Sequence, residues 1–272
     1  AAFRKGTSFS VVNKLTEYET TQIVRSGDQL VSNQQSSVGN YDLSLNLAES
    51  GLAMEASATD AKNRVEMPMA LPVPIEMSAE EGSFALALPV SAGEQAQPAS
   101  MQLDLAGLML TDEIWALFDP QAKLPRDPMA LTLDLQGLVK NTLDWFDFAT
   151  VAARMDAKEM PVELQSLDIR QFLLRAAGAE ATGEGELEFD NTDTTTYGGV
   201  PKPEGSVDVT LKGVNTLIDR LIEMKILPES QAMGARMMIG MVAKPAEGDD
   251  VLTSHVEFTE DGRILANGMR MR

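Results

Sequence analysis

Few residues in this chain could do covalent or acid–base chemistry. His255 is the only histidine and cysteine is absent. Thiol catalysis, disulfides and thiolate metal sites are therefore excluded, and any Ser-His-Asp relay or two-histidine metal site must use His255 or fail. In Thr253-Ser-His-Val-Glu-Phe258 the histidine shares strand parity with Thr253 and Glu257, opposite Val256 and Phe258, which is the pattern of a solvent-side strand position. Asp190 and Asp193 stand among threonines, but the alternating acids and distal glutamate of a calcium loop are missing, so a solvated turn is expected. Asp249-Asp250 reads as another turn. Gly183-Glu-Gly-Glu leads into a strand rather than a helix, unlike a phosphate-binding loop. No nucleophile elbow, phosphate loop or His-Glu-x-x-His helix is present. The 41 acidic residues could supply a hydrolytic carboxylate pair, yet no spacing selects one. No catalytic residue, metal or cofactor is expected.

Apolar contact chemistry is better represented. Met101-Gln-Leu103-Asp-Leu105-Ala-Gly107, Leu131-Thr-Leu133-Asp-Leu135-Gln-Gly137 and Val207-Asp-Val209-Thr-Leu211-Lys-Gly213 each alternate up to a glycine, as half-buried strands do. Eight residues after each glycine come Trp115, Trp145 and Leu221, and eleven after come Phe118, Phe148 and Met224. The reading is a strand–glycine–helix unit used three times. The bland alternative is three pieces of one core; the sharper one has Trp115, Phe118, Trp145 and Phe148 lining a shared groove. Beyond the third copy, Met233, Met237 and Met241 follow helical spacing within Pro228–Ala243. Such a stripe either packs a core or forms an adaptable apolar surface.

The elements that must position these residues follow from periodicity. After Gly213 the apolar positions Val214, Leu217, Ile218, Leu221 and Ile222 mark a helix, with Thr216 and Asp219 at capping-box spacing. Leu43–Leu47 and Leu52–Ala58 alternate around Glu49-Ser-Gly51 as a hairpin. From Val65 to Met77, seven apolar residues alternate with a series containing Pro68, Pro72 and Pro74, which suggests an edge strand blunted by proline, with polyproline II as the alternative. Phe84–Val90 adds a strand, Leu167–Leu174 and Gly183–Asp190 pair, and Val251–Phe258 closes with Arg263–Ala266 around Thr259–Gly262. Ser91–Pro98 reads as a linker. It divides a strand-rich part, 1–98, from the unit-bearing part, 99–272, and the two could form one continuous domain.

The fold class expected is α+β: a long, mainly antiparallel, curved sheet with short helices on one face. At 272 residues with 44% hydrophobic content, the chain can bury a substantial core. A formal charge of −19 disfavours nucleic acid and anionic lipid headgroups as partners. No apolar run approaches the roughly 20 residues of a membrane helix, so no transmembrane segment is expected.

Several motifs carry a resemblance. Trp115-Ala-Leu-Phe-Asp-Pro120, Leu124-Pro-Arg-Asp-Pro128, Gly183-x-Gly-x-Leu-x-Phe-Asp190, Gly199-Val-Pro-Lys-Pro-Glu-Gly205, Asn215-Thr-Leu-Ile-Asp-Arg-Leu221, Ala235-Arg-Met-Met-Ile-Gly-Met241 and Ile264-Leu-Ala-Asn-Gly268 resemble an uncharacterised, mostly alphaproteobacterial family, domain of unknown function 2125. The likeness covers about Ser100 to the C-terminus; residues 1–98 match loosely. The family's usual export signal implies the periplasm, and Ala1–Gly6 would then start a mature chain. The family brings no established activity and no site residues.

Together these features suggest a non-enzymatic periplasmic or cell-envelope protein that binds a lipid-like ligand or an envelope partner. The contact residues would be Trp115, Phe118, Trp145, Phe148, Met233, Met237 and Met241. A scaffolding module that exposes a sheet edge is the second reading, and a carboxylate-dependent hydrolase the third. Oligomeric state is left open.

Overall fold

The computed structural model describes residues 6, 8–143, 145–146 and 162–271. Its core element is one 13-stranded antiparallel sheet in which nearly every strand pairs with its sequence neighbour. The first half comprises β1 (Phe9–Ser26), β2 (Gln29–Ala48), β3 (Gly51–Glu66), β4 (Ile75–Leu88), β5 (Gln97–Leu110) and β6 (Met129–Asn141). The second half comprises β7 (Val162–Ala176), β8 (Ala179–Asp190), β9 (Lys202–Lys212), β10 (Lys244–Pro245), β11 (Val251–Phe258), β12 (Ile264–Ala266) and β13 (Met269–Arg270). β11 adds to β9, and the two-residue β10 pairs with β11 off the main path. With 20 residues, β2 is about 66 Å long at ~3.3 Å per residue. β4 pairs directly with β5, so the ladder runs unbroken past Ser91–Pro98.

Alternation places the apolar residues on one face, and the register joins them into rows. Leu43, Ala56, Phe84, Leu103, Leu133 and Phe172 are successive partners across β2–β7, and the row continues through Gly183 and Val209 to Ser254. A parallel row runs Val11, Leu45, Met54, Leu86, Met101, Leu135, Ile169, Gly185, Val207, Val256 and Ala266. Leu43, Met54, Phe84, Leu103 and Leu133 are all only half-buried. The chain exposes 16694 Å², against about 11,500 Å² for a compact 29.4 kDa globule. Among the described residues, no layer packs across the whole apolar face of the sheet.

A crease crosses the first five strands. Glu17, Gly39, Asp60, Glu80 and Gly107 lie opposite one another in the constant registers of β1 to β5, and Glu17, Asp60 and Gly107 adopt positive φ. The alternation changes phase there: on β3 the less exposed positions run 52, 54, 56, 58 and then 61, 63, 65. Each of the five strands thus carries one additional residue. Across the crease the registers of β1 to β5 hold constant, and the extra residue is absorbed where β5 meets β6, at the slip between Leu105 and Leu108. Glycine is required by contact as well as by φ. A Cβ on Gly107 would lie 2.4 Å from Glu80 Cγ, and one on Gly39 would lie 3.0 Å from Asp60 Oδ2.

Three helices complete the described structure: α1 (Asp112–Phe118), α2 (Val214–Glu223) and α3 (Glu229–Val242). α1 follows the end of β5, while α2 and α3 link the end of β9 to the start of β11, so all three gather at one end of the sheet. Ser254, on the apolar face of β11, donates its hydroxyl to the Val242 carbonyl at 2.6 Å, which holds the end of α3 over that face. At the opposite end Val90, Val139, Asn141 and Leu143 are buried, and the Asn141 amide donates to Pro89 O at 2.6 Å.

Three local expectations change. Met67–Pro74 is not an edge strand: β3 ends at Glu66, β4 begins at Ile75, and turn bonds from Ala70 and Leu71 to Met67 O lie between. Because β3 and β4 have neighbours on both sides, no free edge is available for three prolines, and the chain leaves the sheet instead. The capping box is also replaced. α2 starts from Gly213 at φ 70° with no side-chain cap of its own; Asp250 accepts the Asn215 and Thr216 backbone N–H groups at 3.2 and 2.8 Å. Finally, the three unit glycines play different parts. Gly213 precedes its helix directly, Gly107 lies inside β5, and Gly137 lies within β6 where a Cβ would meet Ser166 O at 2.4 Å. After Gly137 of the second unit β6 continues to Asn141 and residues 145–146 form a turn, so no helix follows this glycine directly; the rest of the unit lies outside the described residues.

Replacing Gly107 with Ala is expected to destabilise the protein by about 1–3 kcal/mol, because the new side chain meets both a positive φ and Glu80. Chemical denaturation measures this; an unchanged midpoint would show that the crease does not constrain the fold.

Candidate functional site: an open apolar face and its two ends

The apolar rows of β2–β9 make a surface bounded by the helical end and by the Val90–Leu143 cluster. The described residues expected to line a groove distribute around this surface and do not converge. Trp115 on α1 is 5% exposed; its ring lies 5.0 Å from that of Phe118, and the Arg126 guanidinium carbon sits 5.9 Å from the indole centroid. Phe118 is 40% exposed. Buried Asp119 organises the next turn by accepting the Lys123 and Leu124 N–H groups at 2.9 and 2.8 Å. In the Trp115–Pro128 motif the indole is therefore a packing element, and the aspartate is a turn organiser.

Trp145 follows the far end of β6. Since β5 and β6 are antiparallel, the two tryptophans stand at opposite ends of the sheet, separated by about the length of a strand. The Trp145 backbone N–H donates to Val90 O at 3.0 Å, and its buried indole nitrogen has no hydrogen-bond partner among the described residues. Phe148 lies outside the described residues. On α3, Met233, Met237 and Met241 are 73%, 65% and 49% exposed, with Met238 also exposed. The stripe is thus a surface, not core packing. The small residue Ala232 points inward. Arg236 binds Asp219 of α2 at 2.6 Å, leaving the methionine stripe free of charge.

The polar residues do structural work. His255 is exposed, as strand parity implied, with Nδ1 2.8 Å from Asp208 Oδ1 of β9. Asp193 closes its loop on Thr195 and Thr196. The Thr196 hydroxyl and backbone N–H, joined by Thr195, hold its carboxyl down to about 2. For Asp250 burial pushes upward, but the hydrogen bonds from Thr216 and Asn215 outweigh it and the net shift is downward. Glu66, Glu180, Asp190 and Asp261 are shifted downward as well, chiefly by hydrogen bonds from Arg64, Arg175, Thr192 and Thr259. Downward shifts keep carboxylates charged, the opposite of what a general acid requires near neutrality. Among the described residues no group of three or more His, Asp or Glu side chains is placed to hold a metal ion, and no helix is long and apolar enough to cross a membrane.

Sequence reasoning found the apolar strands but not the face they build, because its extent depends on register. The signal available was the repeated alternation itself, together with its phase change at Asp60.

The chain matches the family described as "Uncharacterized protein conserved in bacteria (DUF2125)" over residues 15–271. The likeness therefore extends through most of the strand-rich first part, beyond the region carrying the quoted motifs. No curated protein and no solved structure gives a significant match.

Truncating Asp250 to Ala is expected to cost about 1–2 kcal/mol, the value of a lost helix cap, with Asn losing less; thermal unfolding of both variants checks this. The Asp193 carboxyl is expected to titrate near 2 rather than 3.8. Because its folded value is depressed, its contribution to stability is full above about pH 4 and is lost as pH falls toward 2. An NMR titration with a midpoint near 3.8 would show that the loop's hydrogen bonds are absent in solution.

Proposed function

The chain belongs to the DUF2125 family of uncharacterised bacterial proteins, and from that premise we propose that it is a non-enzymatic cell-envelope protein, periplasmic in location, that holds a lipid-like apolar ligand along the open face of its sheet. The observation carrying this reading is the continuity of half-buried apolar rows across β2–β9, over the middle of which no layer packs among the described residues. At ~4.8 Å between strands, the Val11–Ala266 row is on the order of 45 Å long. A bilayer leaflet's hydrocarbon is about 15 Å deep, so whole acyl chains fit on the face. Covering ~400 Å² of apolar surface would contribute roughly 10 kcal/mol before the cost of ordering the ligand. The exposed methionines of α3 and Phe118 then serve as an adaptable rim at the helical end, and Trp145, whose indole N–H has no partner among the described residues, marks the other end.

A second reading, a protein-interaction module, rests on a separate observation: among the described residues β1 is an edge strand, exposed along almost its whole length.

Native mass spectrometry of protein isolated gently from its own source, followed by lipid extraction, tests the first reading. A stoichiometric adduct of lipid mass is expected, lost on denaturation and lost in a Leu103→Glu, Leu133→Glu variant that keeps its far-UV circular dichroism. A polar-face control, Gln102→Glu, should retain the adduct. Repeated preparations with a clean protein mass would sink the proposal.

A further inference from the structure

Among the described residues, β1 has β2 on one side and nothing on the other. Every β1 residue except Leu15 is exposed, including Phe9, Val12, Tyr18, Ile23 and Val24 at 44–64%. The strand has 18 residues and no proline or glycine. Long flat edges of this kind invite further pairing, and proteins normally blunt or cover them. The question is what fits.

The crease at Glu17 makes β1 complementary to itself. Across β1 and β2, the apolar face carries Phe9, Val11, Asn13 and Leu15 before Glu17, then Tyr18, Thr20, Gln22 and Val24 after it. An ordinary strand keeps one parity per face, so an antiparallel self-pairing must join residues of equal parity. Here the phase change reverses the rule: a residue before the crease shares its face with one of opposite parity after it. A twofold centred between Thr16 and Glu17 satisfies this along the whole strand. It sets Phe9 against Val24 and Leu15 against Tyr18 on the apolar face. On the polar face it sets Lys14 against Glu19, twice by symmetry. Lys14 already reaches Asp42 of β2 at 2.9 Å, yet its side chain is 74% exposed, so it can bridge to both.

We infer that two copies of this chain associate through β1, edge to edge and antiparallel, with Lys14 of each facing Glu19 of the other. The two sheets become one, and their apolar faces join without a step. This pairing does not depend on what the apolar face binds. Main-chain hydrogen bonds supply the attraction, as in other strand additions, and the charge pair and the crease select the register.

Sedimentation equilibrium of the intact chain should show a dimer. Lys14→Glu and Glu19→Lys should each weaken it about tenfold, since two attractive exposed pairs become repulsive. The double variant Lys14→Glu, Glu19→Lys should restore it, which a merely structural role for either residue would not. Because the chain has no cysteine, Lys14→Cys with Glu19→Cys should give a disulfide-linked dimer on oxidation, whereas Lys14→Cys with Thr21→Cys should not. A monomer at the highest soluble concentration overturns the inference. So does a dimer indifferent to both charge reversals, or cross-linking in the mismatched pair alone.

Discussion

Everything in this structure depends on the backbone ladder between sequence-adjacent strands. Each long strand after β1 satisfies its N–H and C=O groups against the strand before and the strand after it, with β9 and β11 bridging the helical interruption. A ladder of this kind requires no second layer, and among the described residues few are buried: Val90, Trp115, Leu124, Val139, Leu143, Ile218 and a few alanines and polar groups. Stability comes from backbone pairing and from side chains packed against their cross-strand neighbours. The open apolar face follows from that economy, since the strands can be held in place without being covered.

Order at the turns and along the strands is maintained by hydrogen-bonded carboxylates. Asp119 shapes the turn after α1, Asp250 caps α2 from a neighbouring turn, and Asp193 closes the β8–β9 loop. Arg64 spans Glu66 and Glu76 across β3 and β4. Of these acids Asp119 lies in a quoted motif, and its place in the turn after α1 accounts for it without assigning it any reaction. The acidic surplus that remains is a solvated surface.

The sequence was informative wherever a signal was local. Alternation located β2, β3, β5, β7, β8, β9 and β11, and the parity of His255 put it in solvent. It failed where an outcome depended on neighbours. Pro68, Pro72 and Pro74 kept perfect alternation, and only the presence of paired strands on both sides explains why the chain turns there. The methionines of α3 have the spacing of a packed stripe, but helix burial depends on what lies opposite, and here the inward positions went to small residues such as Ala232. Thr216 and Asp219 had the right spacing for a cap, while Asp250, 34 residues from Thr216, occupied the amides first. The crease was visible as a phase change at Asp60, but its meaning required five strands to be aligned.

The meander also gives this molecule the statistical mechanics of a chain of links rather than of a globule. In such a system stability is a sum of terms from each unit and its nearest neighbours, as in repeat proteins, and disorder can enter from an end without melting the middle. Evolution can lengthen or shorten such a sheet two strands at a time, because removing one hairpin leaves the remaining neighbours free to meet. The five creased strands are the exception. Removing the extra residue from any one of them would turn part of that strand's side chains to the wrong face, so these five strands are constrained to keep it together.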